Sequence, residues 1–246
     1  SGQRNLPLLD KFLIMGELGL DGTVREVPGA LPTVELAARS GMMGCILPRR
    51  SALEASEYRI IDVYGVETME EVLEIISGEV SREDLLAGNL RPEKRHETGR
   101  SISGTMDFSE IIGQEGAKRG LEIAAAGGHN VILIGSPGSG KSSLAKALSG
   151  ILPPLNFNES LQTSKIYSVA GKGSTLGGLM KERPFRSPHY SASIAALLGG
   201  GSDNIMPGEI SLAHNGILFI DEFCEAPKRV LEVLRAPMED RKVTIS

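Results

Sequence analysis

Tryptophan is absent from the 246 residues, and aromatic residues make up only 4%. Any core must therefore be aliphatic. With 41% hydrophobic residues the chain is long enough to build one. There are two cysteines, Cys45 and Cys224, far apart in sequence. That excludes a disulfide scaffold and fits a reducing, cytoplasmic compartment. No apolar run approaches the roughly 18 residues of a membrane span, and no charged-then-apolar leader opens the chain. Basic excess is missing too: 26 Lys and Arg face 31 Asp and Glu, a net charge of −5. Nothing global draws the chain to nucleic acid or to an anionic membrane, which leaves only a local basic patch open. The balance of hydrophobic and charged residues also excludes disorder.

Glycine, by contrast, is plentiful at 30 residues. At about 150 residues per domain, the length allows one or two domains. The chain opens at Ser1 without methionine and stops in the β-like stretch Val243-Thr244-Ile245-Ser246. It is expected to be part of a longer protein.

The pattern divides into residues 1–87, a polar linker 88–106, and residues 107–246. In the first part, Phe12–Met15 and Glu17–Leu20 read as extended. Asp21-Gly22 is a two-residue hairpin signal, with Thr23–Val27 returning from it. Pro32 suits the first position of a helix that runs to Ser40 and stops at Gly41. Cys45–Leu47 and Arg59–Tyr64 read as strands. Thr68 and Glu71 have capping-box spacing before a helical stripe of Val72, Leu73, Ile75 and Ile76. In the last part, Gln114–Ala126 reads as helix. Val131–Ile134 is a continuous apolar run, as expected of a parallel strand buried on both faces. Helix follows from Lys141 to Ser149, Ile217–Ile220 is a second apolar strand, and Lys228–Leu234 is helical again.

The informative segment is Gly135-Ser136-Pro137-Gly138-Ser139-Gly140-Lys141-Ser142. It fits the pattern G-x-x-x-x-G-K-[ST] and sits between a strand and a helix. Glycines let successive backbone N–H groups turn inward toward phosphate oxygens, and the helix adds the positive end of its dipole. Lys141 is expected to reach the β- and γ-phosphates, and the Ser142 hydroxyl to ligate Mg²⁺. The nucleotide-binding set is thus Gly135 to Ser142 with the adjoining Ser143.

Ile217–Ile220 ends in Asp221-Glu222. Carboxylates at the C-terminal end of a parallel strand lie where ligands bind in open α/β sheets. Asp221 is expected to hold Mg²⁺, and Glu222 to polarise an attacking water as general base. The cofactors expected are ATP and Mg²⁺, with Lys141 and Glu222 in the catalytic roles.

With both motifs in place, residues 108–246 resemble the magnesium-chelatase-like branch of the AAA+ ATPases. Phe108–Glu115 is similar to the element that precedes the first core strand in that superfamily. The resemblance implies Ile111, Ile112 and Gly113 near an adenine, with simple core packing as the alternative. Arg183–His189, Pro207–Gly216 and Leu234–Glu239 are similar to stretches of the same branch. Gly16–Gly29 resembles the C-terminal half of a Lon-protease-like domain, the arrangement of the ComM/YifB family. Lon-type proteases need a Ser–Lys dyad. The lysine position falls on Leu31, so no proteolysis is expected. The fold class implied is α/β: a P-loop parallel-sheet core preceded by part of a Lon-like α/β domain. The sensor strand, arginine finger and helical lid that follow in AAA+ modules are expected beyond Ser246.

Other signals are weaker. His189 and His214 favour structural or surface roles over contact with nucleotide or a neighbouring subunit. Cys224 is expected to pack as a small hydrophobe. Arg183 and Arg186 read equally as a solvated basic loop or as contacts to DNA phosphates. Gly199-Gly200-Gly201 reads as a mobile loop. The resemblance implies a ring-forming motor, a hexamer of the full-length protein, that hydrolyses Mg-ATP and drives DNA branch migration, without a membrane partner. A chelatase-type metal-insertion motor and a nucleotide-gated scaffold are the alternatives.

Overall fold

The computed structural model describes residues 5–90, 106–173, 178–201 and 205–243. Most of the expected linker, the centre of the glycine-containing insert and Thr244–Ser246 lie outside the described residues. The strands are β1 (Phe12–Ile14), β2 (Glu17–Leu18), β3 (Val24–Arg25), β4 (Gly44–Pro48), β5 (Asp62–Val66), β6 (Phe185–Arg186), β7 (Gly199–Gly200), β8 (Met206–Pro207) and β9 (Ile217–Leu218). The helices are α1 (Ala30–Arg39), α2 (Arg49–Glu54), α3 (Met69–Ser77), α4 (Glu115–Gly127), α5 (Lys141–Ile151), α6 (Phe157–Val169), α7 (Ile194–Leu198), α8 (Glu209–Leu212) and α9 (Lys228–Asp240). The chain separates into two compact units. One is Ser1–His96 with Ser160–Met180, and the other is Glu97–Glu159 with Lys181–Ser246.

The first unit is organised by β4. It pairs in parallel with β1 on one side and β5 on the other, and all five of its residues are buried. Alternation along the strand sends Cys45 and Leu47 to one face and Ile46 to the other. The first face packs on Leu31, Val34 and Ala37 of α1, and the second on Val72, Ile75 and Ile76 of α3. Each such large aliphatic side chain contributes about 1.5–3 kcal/mol by leaving water. Leu161 and Leu179, distant in sequence, complete the α1 side. Leu90, at the edge of the expected linker, is buried there as well.

Local signals are met with small departures. The capping box forms as expected: Thr68 Oγ1 accepts from the Glu71 N–H, and the Glu71 carboxylate accepts from the Thr68 N–H. α1 starts at Ala30, two residues before Pro32, and ends in Gly41 at φ +69°. There the Met42 and Gly41 N–H groups return to Ala37 and Ala38 carbonyls at 3.0 and 3.1 Å. The hairpin between β2 and β3 is longer than a two-residue turn. Gly19 N–H meets Thr23 O at 2.8 Å, leaving Leu20, Asp21 and the positive-φ Gly22 as a three-residue loop. Asp21 Oδ1 stabilises it by accepting from the Thr23 N–H and hydroxyl at 3.1 and 2.6 Å. β5 begins at Asp62 rather than Arg59 because Asp62 is the residue in register with Gly44, the first of β4.

In the second unit, α4 buries Leu121 and Ala124, and α5 buries Leu144, Ala145 and Ala147. β6 and β9 pair in parallel, with Phe185 and Phe219 stacked at 6.0 Å. α9 extends past Leu234 to Asp240, through Pro237.

Two expectations are corrected here. Val131–Ile134 is not a buried strand: Ile132 and Ile134 are 67% and 89% exposed, and no strand among the described residues pairs with the segment. A parallel strand acquires its burial from neighbours on both sides, and this segment has none among the described strands, where β9 pairs with β6 alone. Nor are Gly199 and Gly200 a free loop, since they form β7 and pair with Met206 and Pro207. A Cβ on Gly199 would stand 2.3 Å from Met206 O, so the close approach of two backbones explains the glycine.

Candidate functional site

The glycine-rich loop joins residues 131–134 to the N-terminus of α5. Gly138 and Gly140 adopt φ +77° and +85°, and Gly140 is the N-cap of α5. These angles favour glycine, which is why the spacing of the motif matters. Ser139 N–H reaches Ser136 O at 3.2 Å and tightens the turn. The Lys141 ammonium folds back over the loop, donating to Gly135 O and Ser136 O at 3.0 and 2.9 Å. The first N–H groups of α5 have no partner within the helix, and together with the dipole they favour an anion at this end.

The second motif meets the first directly. Ser142 Oγ donates to Asp221 Oδ2 at 2.7 Å, although 79 positions separate the two residues. Asp221 Oδ1 accepts from the Glu222 N–H at 3.0 Å. Glu222 itself stands at φ +51°, ψ 41°, as N-cap of a short 3₁₀ turn, and its carbonyl accepts from Glu225 N–H at 2.8 Å. A non-glycine residue in the left-handed region costs about 1–3 kcal/mol, and such residues cluster at functional sites. Both carboxylates are solvent-exposed, open to a ligand.

Gln114 joins this group without having been singled out as a site residue in the sequence. It sits at φ 58° as N-cap of α4, and its Nε2 donates to Ser139 O at 3.3 Å. The only signal for it was its place beside Gly113, ahead of the helix. Of the residues expected near a base, Ile112 is 96% exposed and Gly113 has φ +72°. The Ile111 carbonyl is held by Lys118 Nζ at 2.5 Å. Ser143 follows Ser142 in the first turn of α5, half-buried.

The arginines are committed elsewhere. Arg183 donates to Pro153 O at 2.6 Å, Asn215 O at 2.7 Å and Glu159 Oε2 at 2.9 Å. Arg186 forms a two-pronged pair with Glu209, both contacts at 2.6 Å. A solvated basic loop does not describe them: Arg186 is held in a fork geometry that suits a planar guanidinium, and Arg183 by three separate oxygens. His189 Nδ1 lies 2.7 Å from Ser191 Oγ and its ring packs on Tyr190. Partial desolvation holds the His214 imidazole below its ordinary range, opposed by the nearby Glu159 carboxylate. Cys224 is exposed, contrary to expectation, because its 3₁₀ turn buries none of its residues. Cys45 is buried, and burial pushes its thiol up to about 11. Leu31, at the position where a dyad lysine was sought, is fully buried.

The model for magnesium chelatase, subunit ChlI, matches residues 107–246, and a second ChlI model matches residues 1–51. The chain belongs to this family. Within it, the chain stands with the ComM/YifB proteins. It is 42% identical over 238 residues to the protein YifB of Salmonella typhimurium, covering 97% of this chain and 45% of that one. It is 39% identical over 248 residues to the competence protein ComM of Haemophilus influenzae, covering 100% of this chain and 47% of that one. An archaeal Lon protease of Halobacterium salinarum is 39% identical over 104 residues, 37% of this chain and 13% of that one. The chain thus spans under half the length of its YifB and ComM relatives. No helix among the described residues is long and apolar enough to cross a membrane.

Proposed function

We propose that this chain carries the nucleotide site of a Mg-ATP-hydrolysing AAA+ motor with a P-loop core and a preceding Lon-like domain. The observation that supports this most is the 2.7 Å contact between Ser142 and Asp221, which brings the two motifs to one point. Gly135 to Ser143 would wrap the phosphates, with Lys141 at the β- and γ-phosphates. Ile112 and Gly113 would lie against the base.

The Ser142 and Asp221 oxygens fit Mg²⁺. Two hard oxygen donors on adjacent corners of an octahedron with roughly 2.0–2.1 Å bonds stand about 2.9 Å apart, close to the contact seen. Mg²⁺ would neutralise charge developing on the phosphates. Glu222 would hold and polarise the attacking water, and its strained backbone fixes where its carboxylate starts.

In the full-length protein we expect Glu222→Gln to bind ATP as tightly as the parent while losing hydrolysis at least 100-fold, in line with the usual contribution of a general base. Lys141→Ala should weaken ATP binding itself. Persisting hydrolysis in Glu222→Gln would remove Glu222 from its role.

The substrate of the motor is proposed from kinship. The competence relative favours work on DNA, with branch migration of recombination intermediates by a cytoplasmic hexameric ring. The family's chelatase description favours, second, a metal-insertion motor. ATPase activity of the full-length protein with and without branched DNA separates the two: stimulation supports the first, whereas stimulation of magnesium insertion into a porphyrin supports the second. With Leu31 buried where a dyad base would stand, the first unit is proposed to be non-proteolytic.

A further inference from the structure

The first unit contains a cavity of about 190 Å³ that the nucleotide site does not use. A single water needs roughly 10–15 Å³ on the same measure, so the space admits a small ligand group. It is lined by Glu26, Ser51, Glu54 and Ser168, with Gly171 and Gly173 on one wall, and no cationic residue lines it among the described residues. Glu54 is 5% exposed, and its Oε1 has no hydrogen-bond partner. The Ser168 hydroxyl supplies one hydrogen bond to this carboxyl. That hydroxyl accepts from the Leu31 N–H at 3.3 Å, which leaves its own proton for Glu54. A Cβ on Gly173 would stand 2.2 Å from Glu54 Oε1, so the wall is glycine where the carboxyl needs room.

A buried carboxyl with an unsatisfied oxygen is costly, and a second carboxylate, Glu26, adds to the local negative potential. Both features are relieved by a cation. Among the described residues no group of three or more His, Cys, Asp and Glu gathers as a metal set. A cation bearing several N–H donors suits one carboxylate and two hydroxyls better.

We propose that this cavity binds a primary ammonium or guanidinium group, with Glu54 as counter-ion and the Ser51 and Ser168 hydroxyls as acceptors. The proposal does not rest on the nucleotide reading, because every lining residue belongs to the first unit.

Binding should depend on pH. Burial pushes the Glu54 carboxyl up to about 7, and only its ionised form pairs with a cation. Among the described residues the charged group acting on it is Glu26, itself bonded to Arg50 at 3.2 Å, while Lys172 lies in sequence between the two lining glycines. The ionised fraction changes about tenfold between pH 6 and pH 8 for a group titrating near neutrality.

Calorimetric titration of the 246-residue protein with agmatine and with N-acetyl-lysine methylamide tests this. Agmatine represents a free metabolite and the lysine amide a protein side chain, so the tighter binder identifies the source. We expect binding about tenfold tighter at pH 8 than at pH 6. Glu54→Gln should lose at least tenfold, and Ser51→Ala, which leaves the carboxyl in place, threefold or more. Tetramethylammonium, which has no N–H, should not bind. Absence of binding by both probes, equal binding of tetramethylammonium, or an affinity indifferent to both substitutions would overturn the proposal.

Discussion

Burial raises the Glu54 carboxyl to about 7 from an ordinary 4.5, with the Ser168 hydrogen bond opposing and Glu26 adding to the rise. Between these two values the folded chain holds a proton that the unfolded chain has released. Stability therefore falls as pH rises from about 4.5 to about 7, and the full cost is present above that range. At 1.36 kcal/mol per pH unit the ceiling is about 3 kcal/mol. Glu54→Gln keeps the shape and removes the ionisation. Urea unfolding should show the variant more stable than the parent at pH 8, by up to that ceiling, and level with it near pH 4.5. A parent whose stability does not fall across this range would show that Glu54 is not held neutral. The same residue thus carries a stability cost that a cation in the cavity would convert into affinity.

Elements are where the sequence was read best and also where it misled. β4, α1 and α3 announced themselves, because β4 is apolar throughout and the helices carry clear start and stop residues. The loop Gly135–Ser142 and the pair Asp221-Glu222 were legible as motifs because they set residue types at fixed spacing, and the structure brings Ser142 and Asp221 together. Residues whose role depends on a partner far along the chain were not. Arg183 and Arg186 look like any basic pair until Asn215 and Glu209 are brought beside them. Arg183 satisfies three carbonyl or carboxylate oxygens from segments 153, 159 and 215 while its side chain is only 16% exposed. Arg183→Met preserves much of the volume and removes all three of these bonds, although Glu159 Oε2 keeps the one from the Asn156 N–H. We expect a loss of about 2–4 kcal/mol, measured as a shift in the urea midpoint. Arg183→Lys should recover only part of it, since a point charge cannot serve three directions. A neutral result for Arg183→Met would mean that the loops at 153 and 215 hold without it.

For the molecule as a whole, the unresolved tension is Val131–Ile134. Three of its residues are more exposed than buried side chains of this type tolerate, at 45% for Val131, 67% for Ile132 and 89% for Ile134. At about 25 cal/mol per Å² of apolar surface, an exposed run of this kind stands to gain several kcal/mol from cover. The YifB and ComM relatives are more than twice this length, and we propose that additional chain in a longer family member covers this run. We therefore expect the backbone amides of 131–134 to exchange with solvent within seconds in the 246-residue chain. In a full-length family protein they should be protected by at least two orders of magnitude. ATP turnover should follow the same division, because a loop anchored on an exposed, unpaired segment cannot hold phosphates rigidly. Hydrogen exchange by mass spectrometry, run on both lengths with and without Mg-ATP, decides the matter. Equal protection in the two would show that the segment preceding the glycine-rich loop is ordered to the same degree without the additional chain, and the proposed link between its cover and turnover would fall with it.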